Sequence, residues 1–401
     1  MNIHEYQAKQ ILSKYGIKVP KGKVAYTPLE AKTIAGEISL KGPWMIKSQI
    51  HSGARNKGYF LEKKAGKDGG IRQVKTRRSI AKEADEMLGS TLVTVQTGHK
   101  GKVVHKVYVE EYVKIDQTFY CGMVIDRMTP AITLLVCDSN FDDDIIRVAL
   151  SSPDKILRTA LNLENGATVA QVRNVLNFLN LPANSFKNLK KFIDGLHKAF
   201  VDNDATMIEV NPVGVTKRGE LMALDAKMSF DDSAMFRHKD ISMLRDESEY
   251  IERKLKALKY GFNYGEFDGS VGLIVNGDGI SLALIDLLRQ KDFDAACFLN
   301  VKGGVDKDKI AAGIKLIMTN PRVEGILINI LGGFLRCNLI AEGIVASASE
   351  VGLNVPLVVR FEGINKEYAK EILVKSSLPL KISDEMETSV NDLLELMREG
   401  D

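Results

Sequence analysis

The chain has 401 residues, 45% of them apolar and 27% charged, with a formal net charge of +3. That is enough chain for two or three domains with packed cores, and too balanced a charge to single out nucleic acid or a membrane surface as partner. The four cysteines, Cys121, Cys137, Cys297 and Cys337, form no C-x-x-C pair, which leaves out the common zinc and redox spacings and fits a reducing compartment.

The charge is unevenly spread. Residues 1–110 hold 21 Lys and Arg against 9 Asp and Glu. A basic end is either a solvated surface or the footprint of an anionic ligand such as a nucleotide triphosphate. Zinc-finger spacings and aromatic-basic interleaving are both missing, which argues against nucleic acid. The N-terminus is polar and amphipathic, and no window approaches ~18 uninterrupted apolar residues. A soluble cytoplasmic protein is expected, or a mitochondrial matrix protein whose transit peptide has been removed.

In chain order, apolar spacing and Gly16 predict a helix over 4–15, then a short strand in "KVAYT" and a helix over 28–38. "PWMIKSQI" reads as a strand and runs into a basic loop, "HSGARNKGY". A helix follows over 79–88. "KVYVEEYV", "FYCGMVID" and "AITLLVCD" read as three successive strands of an antiparallel meander. Residues 153–202 read as mostly helical. "ATMIEVNPVGVT" and "ELMALDAKMSF" form a predicted hairpin around Lys217-Arg218-Gly219. Texture changes near residue 240, dividing the chain into 1–240 and 241–401. From residue 267 strands alternate with helices, the pattern of a parallel sheet covered on both faces. Ligands of such sheets bind at the strands' carboxyl ends. Two glycine turns, "VNGDG" and "LGGFLRC", lie there.

Several residues could carry chemistry. Lys47 sits in an apolar strand before the basic loop. It could reach a phosphate, or simply point to water. Backbone N–H groups of the loop and Arg55 could cover phosphates, or the loop could be solvated. Glu209 and Asn211 alternate onto one strand face, and Asp225 comes alongside if the hairpin pairs in register. Two carboxylates and an amide oxygen suit Mg²⁺, and they equally suit a polar strand face. The turns at Asn276 and at Gly332-Gly333 could hold an anion at a helix start or satisfy a positive φ. None of the six histidines is placed beside these turns, so any nucleophile must come from a ligand or another chain.

Taken together, "MNIHEYQAKQILSKYGI", "GPWMIKSQIHSGARNKG", "IEVNPVGVTKRGELMALDAKMSF", "VNGDG" and "GGFLRCNLIAEG" closely resemble the β subunits of the succinyl-CoA synthetase (succinate–CoA ligase) family, colinearly over essentially the whole chain. The resemblance implies an α/β protein: an ATP-grasp N-terminal region followed by a flavodoxin-like, open parallel-sheet CoA-ligase domain. It implies a reversible conversion of succinyl-CoA, phosphate and NDP to succinate, CoA and NTP. An α-subunit partner, in an αβ or α2β2 assembly, would bind CoA and carry the phosphohistidine; the anion at the helix beginning near Gly333 would then be that phosphohistidine or the substrate's carboxylate or phosphate.

Residue by residue, Lys47, Ala54, Arg55, Asn56, Glu110 and Thr118 match nucleotide-binding positions. Asn211 and Asp225 match Mg²⁺ ligands. Glu209 matches the carboxylate that orients the incoming histidine, and Asn276, Gly333, Phe334 and Leu335 match substrate contacts. The nucleotide would be ATP/ADP or GTP/GDP, and Pro20 resembles ATP-using members. The chain departs from the family pattern where "GARNK" replaces "GGRGK", at Thr118 in place of a glutamate, across 140–146, at Asn300 and Lys302 ("LNVKGG" for "LDVGGG"), and at Phe334 and Asn338 ("GGFLRCN" for "GGIVRCD"). Alternatives are a malate–CoA ligase β subunit, a catalytically impaired regulatory β-like subunit, and a stand-alone ATP-grasp ligase.

Overall fold

The computed structural model describes residues 1–138, 145–301, 306–352 and 354–399. The chain divides into two compact units, Met1–Glu249 and Tyr250–Asp401.

The first unit contains a four-stranded antiparallel sheet in the order Gly22–Ala25, Val107–Glu111, Trp44–Ser48, Ile71–Val74. Helices Pro28–Ile38 and Arg77–Met87 pack on it through Ala31, Ala35, Ile80 and Ala84. Thr27 caps the first helix, its hydroxyl accepting from Glu30 N–H at 3.2 Å, and Pro28 presets the first turn. A second sheet runs Ile156–Leu161, Ala131–Asp138, Gln117–Asp126, Ala205–Val215, with Leu221–Ala223 and Ala226–Phe230 both pairing along Ala205–Val215. Helices Glu5–Lys14, Val169–Phe178 and Phe186–Asp202 contribute to the core beneath it. A small sheet joins Tyr59–Phe60, Thr91–Val93 and Lys102–Val103.

The expected meander needs correction. Val107–Glu111 does not pair with the strands that follow it but joins the four-stranded sheet; the meander is Gln117–Asp126, Ala131–Asp138 and Ile156–Leu161. The last of these falls where helix was expected. Within it partly buried Leu157 and Thr159 alternate with exposed Arg158 and Ala160, as in a strand with one face more solvated than the other.

The second unit is a six-stranded sheet in the order Asn263–Glu266, Ala295–Asn300, Val271–Val275, Gly325–Arg336, Leu357–Ile364, Leu380–Ser383, parallel except for the first strand. Alternate strand residues feed two cores. Leu273, Leu327 and Val358 pack with helices Asp278–Gln290 and Met386–Glu399, whereas Ile274, Ile328 and Val359 pack with Lys307–Met318 and Cys337–Val351. Among the described residues no helix is long and apolar enough to cross a membrane.

Candidate nucleotide and metal site

Helix Glu5–Lys14 breaks the amphipathic rule: beside apolar Ala8, Ile11 and Leu12 it buries Glu5 and Lys9. Burying isolated charges is costly, so each must find a partner. They find those that the basic loop and the first sheet supply. Lys9 Nζ lies 2.8 Å from Glu5 Oε1 and 2.5 Å from Glu110 Oε2. Lys47, projecting inward from Trp44–Ser48, lies 2.9 Å from Glu5 Oε1 and 2.5 Å from Glu110 Oε1. Both lysines donate to the Leu224 carbonyl at 2.6 Å. Arg55 Nη2 bridges Glu5 Oε2 at 2.7 Å and Asp225 Oδ2 at 2.5 Å, while Nη1 donates to the Ser48 carbonyl at 2.7 Å.

The network fixes its own charge states. Burial opposes ionisation of Glu5, but Lys47, Lys9 and Arg55 overcome it and hold the carboxyl well below the usual range. Burial likewise disfavours the Lys47 ammonium, yet Glu110, Glu5 and Asp225 raise its pKa.

Asp225 reaches the cluster because the return strand of the predicted hairpin is broken. Leu221–Ala223 and Ala226–Phe230 both pair with Ala205–Val215, leaving Leu224 and Asp225 between them, opposite Asn211 and Pro212. There Asn211 N–H donates to the Asp225 carbonyl at 3.3 Å and Leu224 N–H to the Pro212 carbonyl at 3.1 Å.

These elements enclose a cavity of about 640 Å³. Its wall brings together Lys47, Ala54, Arg55, Asn56, Glu110, Thr118, Glu209, Asn211 and Asp225, all nine sequence-selected residues of this unit. The apolar part of the wall includes Met45, Ile71, Tyr112, Val113 and Ile115, which suits a planar ring. A second cavity of about 80 Å³ shares Arg55, Glu209, Asn211 and Asp225 and adds His51, Ser52 and Lys227. The donor chemistry fits a small hard cation: a carboxylate, an amide oxygen and the nearby Glu209 border one space, with lysine close by for anionic oxygens.

The structure narrows what the sequence left open at the strand and the basic loop. Lys47 is 5% exposed, so it does not point to water. Arg55 lies on the cavity wall, its guanidinium directed to Glu5, Asp225 and the Ser48 carbonyl, so it is not solvated. The residue in a left-handed conformation is Ala54, with φ of 52°, whereas Asn56 sits in the short 3₁₀ turn Arg55–Lys57. Sequence reasoning missed Glu5, Lys9 and Gln49, whose side-chain amide donates to Glu5 Oε2 at 3.2 Å. The available signal was two charges, four apart, on the otherwise apolar side of the first helix.

In the second unit the glycine turns meet. Asn276 donates through Nδ2 to the Leu331 carbonyl at 2.9 Å and accepts from Leu331 N–H at 2.8 Å, so its amide ties one turn to the other. Asn300 accepts from Gly277 N–H at 2.8 Å and donates to Asp278 Oδ1 at 2.7 Å. The first turn opens a helix, Asp278–Gln290. The second does not: Gly332 and Gly333, at φ of 48° and 76°, form an irregularity inside Gly325–Arg336, and the helix begins at Cys337. The chain resumes pairing at Arg336 opposite Ile364 before it turns helical, which corrects the expectation of a helix starting near Gly333. Leu335 is buried in the core. The side chain of Phe334, Lys302 and residues 140–144 lie outside those described.

Comparison with known proteins agrees with this architecture. Family models for an ATP-grasp domain and for a CoA-ligase match residues 2–215 and 274–392. The chain is 44% identical, over 100% of both sequences, to the succinate–CoA ligase (ADP-forming) subunit beta of Paramagnetospirillum magneticum and, with the same coverage, 44% identical to that of Rhodospirillum rubrum. Among solved structures, ATP citrate lyase from Methanothrix soehngenii, in complex with citrate and coenzyme A, shares the fold with a TM-score of 0.73 at 16% identity, covering 98% of this chain and 99% of that one.

Proposed function

The chain belongs to the succinate–CoA ligase β-subunit family, and we propose that it is the nucleotide-handling subunit of such an enzyme, interconverting succinyl-CoA, phosphate and NDP with succinate, CoA and NTP. Its partner would be an α subunit that binds CoA and carries the phosphorylated histidine. The observation that carries this reading is the gathering of nine sequence-selected residues around one cavity of about 640 Å³.

Each residue has a task that its position supports. Lys47 and Arg55, held charged by buried carboxylates, would grip phosphate oxygens by charge-assisted hydrogen bonds. The 54–56 loop and Thr118 would border the phosphates. Asn211 and Asp225 would hold Mg²⁺, which when bound neutralises charge on the phosphates. Glu209, on the same strand face as Asn211, would accept a hydrogen bond from the visiting imidazole and fix its tautomer. In the second unit, the backbone at Gly333 and the turn held by Asn276 would receive the acid. Because the phosphohistidine has to serve two sites, a mobile carrier segment on the partner is part of the proposal.

The test is co-expression with an α subunit from the same genome, followed by Mg²⁺- and NTP-dependent acyl-CoA formation with succinate and malate in parallel. Turnover with succinate is expected; turnover with malate alone would replace the substrate. Asp225→Ala, checked for folding by circular dichroism, is expected to lose NTP-dependent phosphorylation of the partner. Wild-type phosphorylation in that variant would overturn the metal assignment.

A further inference from the structure

Arg55 and the proposed metal ligand Asp225 are already joined. The guanidinium Nη2 lies 2.5 Å from Asp225 Oδ2 and 2.7 Å from Glu5 Oε2, and the arginine is 4% exposed. The cluster balances without any ion: Lys9, Lys47 and Arg55 face Glu5, Glu110 and Asp225. A divalent cation arriving alone would have to share Asp225 with a permanently charged guanidinium and would leave two uncompensated positive charges in a largely buried site, where such an excess is heavily penalised. A nucleotide changes both terms. Its phosphates bring the missing negative charge and offer Arg55 another anion within its reach on the same cavity wall.

We propose that Arg55 is a built-in counter-cation that occupies the metal's place at Asp225, so that the divalent cation enters with the nucleotide and not before it. This rests on the assignment of Asp225 to the metal under the proposed function. Ala54, just before Arg55, holds a left-handed φ of 52°, a conformation that residues with a side chain rarely adopt.

The experiment titrates the full-length chain with Mn²⁺ alone, followed by electron paramagnetic resonance of free Mn²⁺. Arg55→Gln is expected to bind Mn²⁺ at least tenfold more tightly than wild type, and Asp225→Asn added to it is expected to remove the gain. Equal Mn²⁺ affinity in wild type and Arg55→Gln overturns the proposal, as does a gain that survives Asp225→Asn. If Arg55→Gln does not fold, Arg55→Lys carries the test. Its shorter side chain keeps the charge but lacks the second guanidinium nitrogen that donates to the Ser48 carbonyl, so its hold on Asp225 is looser; a gain of about threefold is expected, and none overturns the proposal. ADP binding with Mn²⁺ is measured on the same wild-type sample. Its absence would overturn the proposed function, whereas the competition between Arg55 and the ion is read from Mn²⁺ alone.

Discussion

At the cavity of the first unit the contacts are ionic: three cations and three carboxylates drawn from helix Glu5–Lys14, Trp44–Ser48, the basic loop, Val107–Glu111 and the break at Asp225. At the strand ends of the second unit the contacts are backbone and amide: Asn276 clasps Leu331, Asn300 holds Gly277, and Gly332 and Gly333 take positive φ. Each arrangement suits a different visitor. Phosphates with several charges can repay the desolvation of a charged cluster, and such a cluster must balance itself when they are absent. A ligand with a single negative charge would be met more cheaply by backbone N–H groups than by a buried charged cluster. The ionic site should therefore be fragile to the loss of one member, and the amide site to the gain of a charge.

The largest effect is expected at Glu5, where Lys9, Lys47, Arg55 and Gln49 converge. Glu5→Gln leaves three cations on two carboxylates. Breaking a buried network in this way costs about 3–5 kcal/mol, a fall in thermal midpoint of roughly 10 °C for a domain of this size. The companion variant Glu5→Gln/Lys9→Met restores the balance and should cost less than the sum of its parts. Additive losses in differential scanning calorimetry would mean that the residues act separately and that charge balance is not what holds the site.

A smaller effect is expected in the second unit. Asn300 donates to Asp278 Oδ1 at 2.7 Å, so Asn300→Asp would set two carboxylates face to face where the resembled family carries aspartate at the first position. A loss of about 1–2 kcal/mol is expected, from the lost hydrogen bond and the like-charge contact. Asp278→Asn in the same chain should restore most of it. A thermal midpoint unchanged by Asn300→Asp would show that the turn does not depend on a neutral amide.

The same contrast explains what the sequence disclosed. The second unit's strands are continuous apolar runs with glycine at their ends, so fold class and both turns were readable from period and punctuation. What was not readable was where Gly332-Gly333 sit relative to the helix, because strand pairing resumes at Arg336 through a long-range partner, Ile364. In the first unit, alternation correctly put Glu209 and Asn211 on one face, yet Asp225 joins them through a strand break that no local pattern announces. Val107–Glu111 was assigned to the wrong sheet because chain adjacency was taken for pairing. Glu5 and Lys9 were passed over because a charged pair four apart on a helix ordinarily faces solvent. Only the distant Lys47, Arg55 and Glu110 make their burial tolerable.

The smallest effect concerns a pair of rings beside the ionic site. His51 and His4 lie 4.5 Å apart between centroids. His51 Nε2 is buried with no partner among the described residues. The groups around the pair are Asp246, which accepts from His4 Nε2 at 2.6 Å and from Lys106, and Glu249, paired with Lys102. Burial first, then His4 and Lys102, push His51 from its ordinary value of 6.5 down to about 3. The depressed value means that the unfolded chain binds the extra proton between those limits. The stability this group contributes is therefore complete above pH 6.5 and is lost as pH falls toward 3. Glu5 works in the same direction, but only below its ordinary value of 4.5. Between pH 6.5 and 4.5 the two can be separated. His51→Phe, which keeps a ring against His4 and removes the orphan nitrogen, should match wild type at neutral pH and lose fewer degrees of thermal midpoint across that interval, by about 2–4 °C for each kcal/mol of proton linkage removed. An acid slope as steep in the variant as in wild type would assign the loss to other groups and leave the imidazole pair as packing alone.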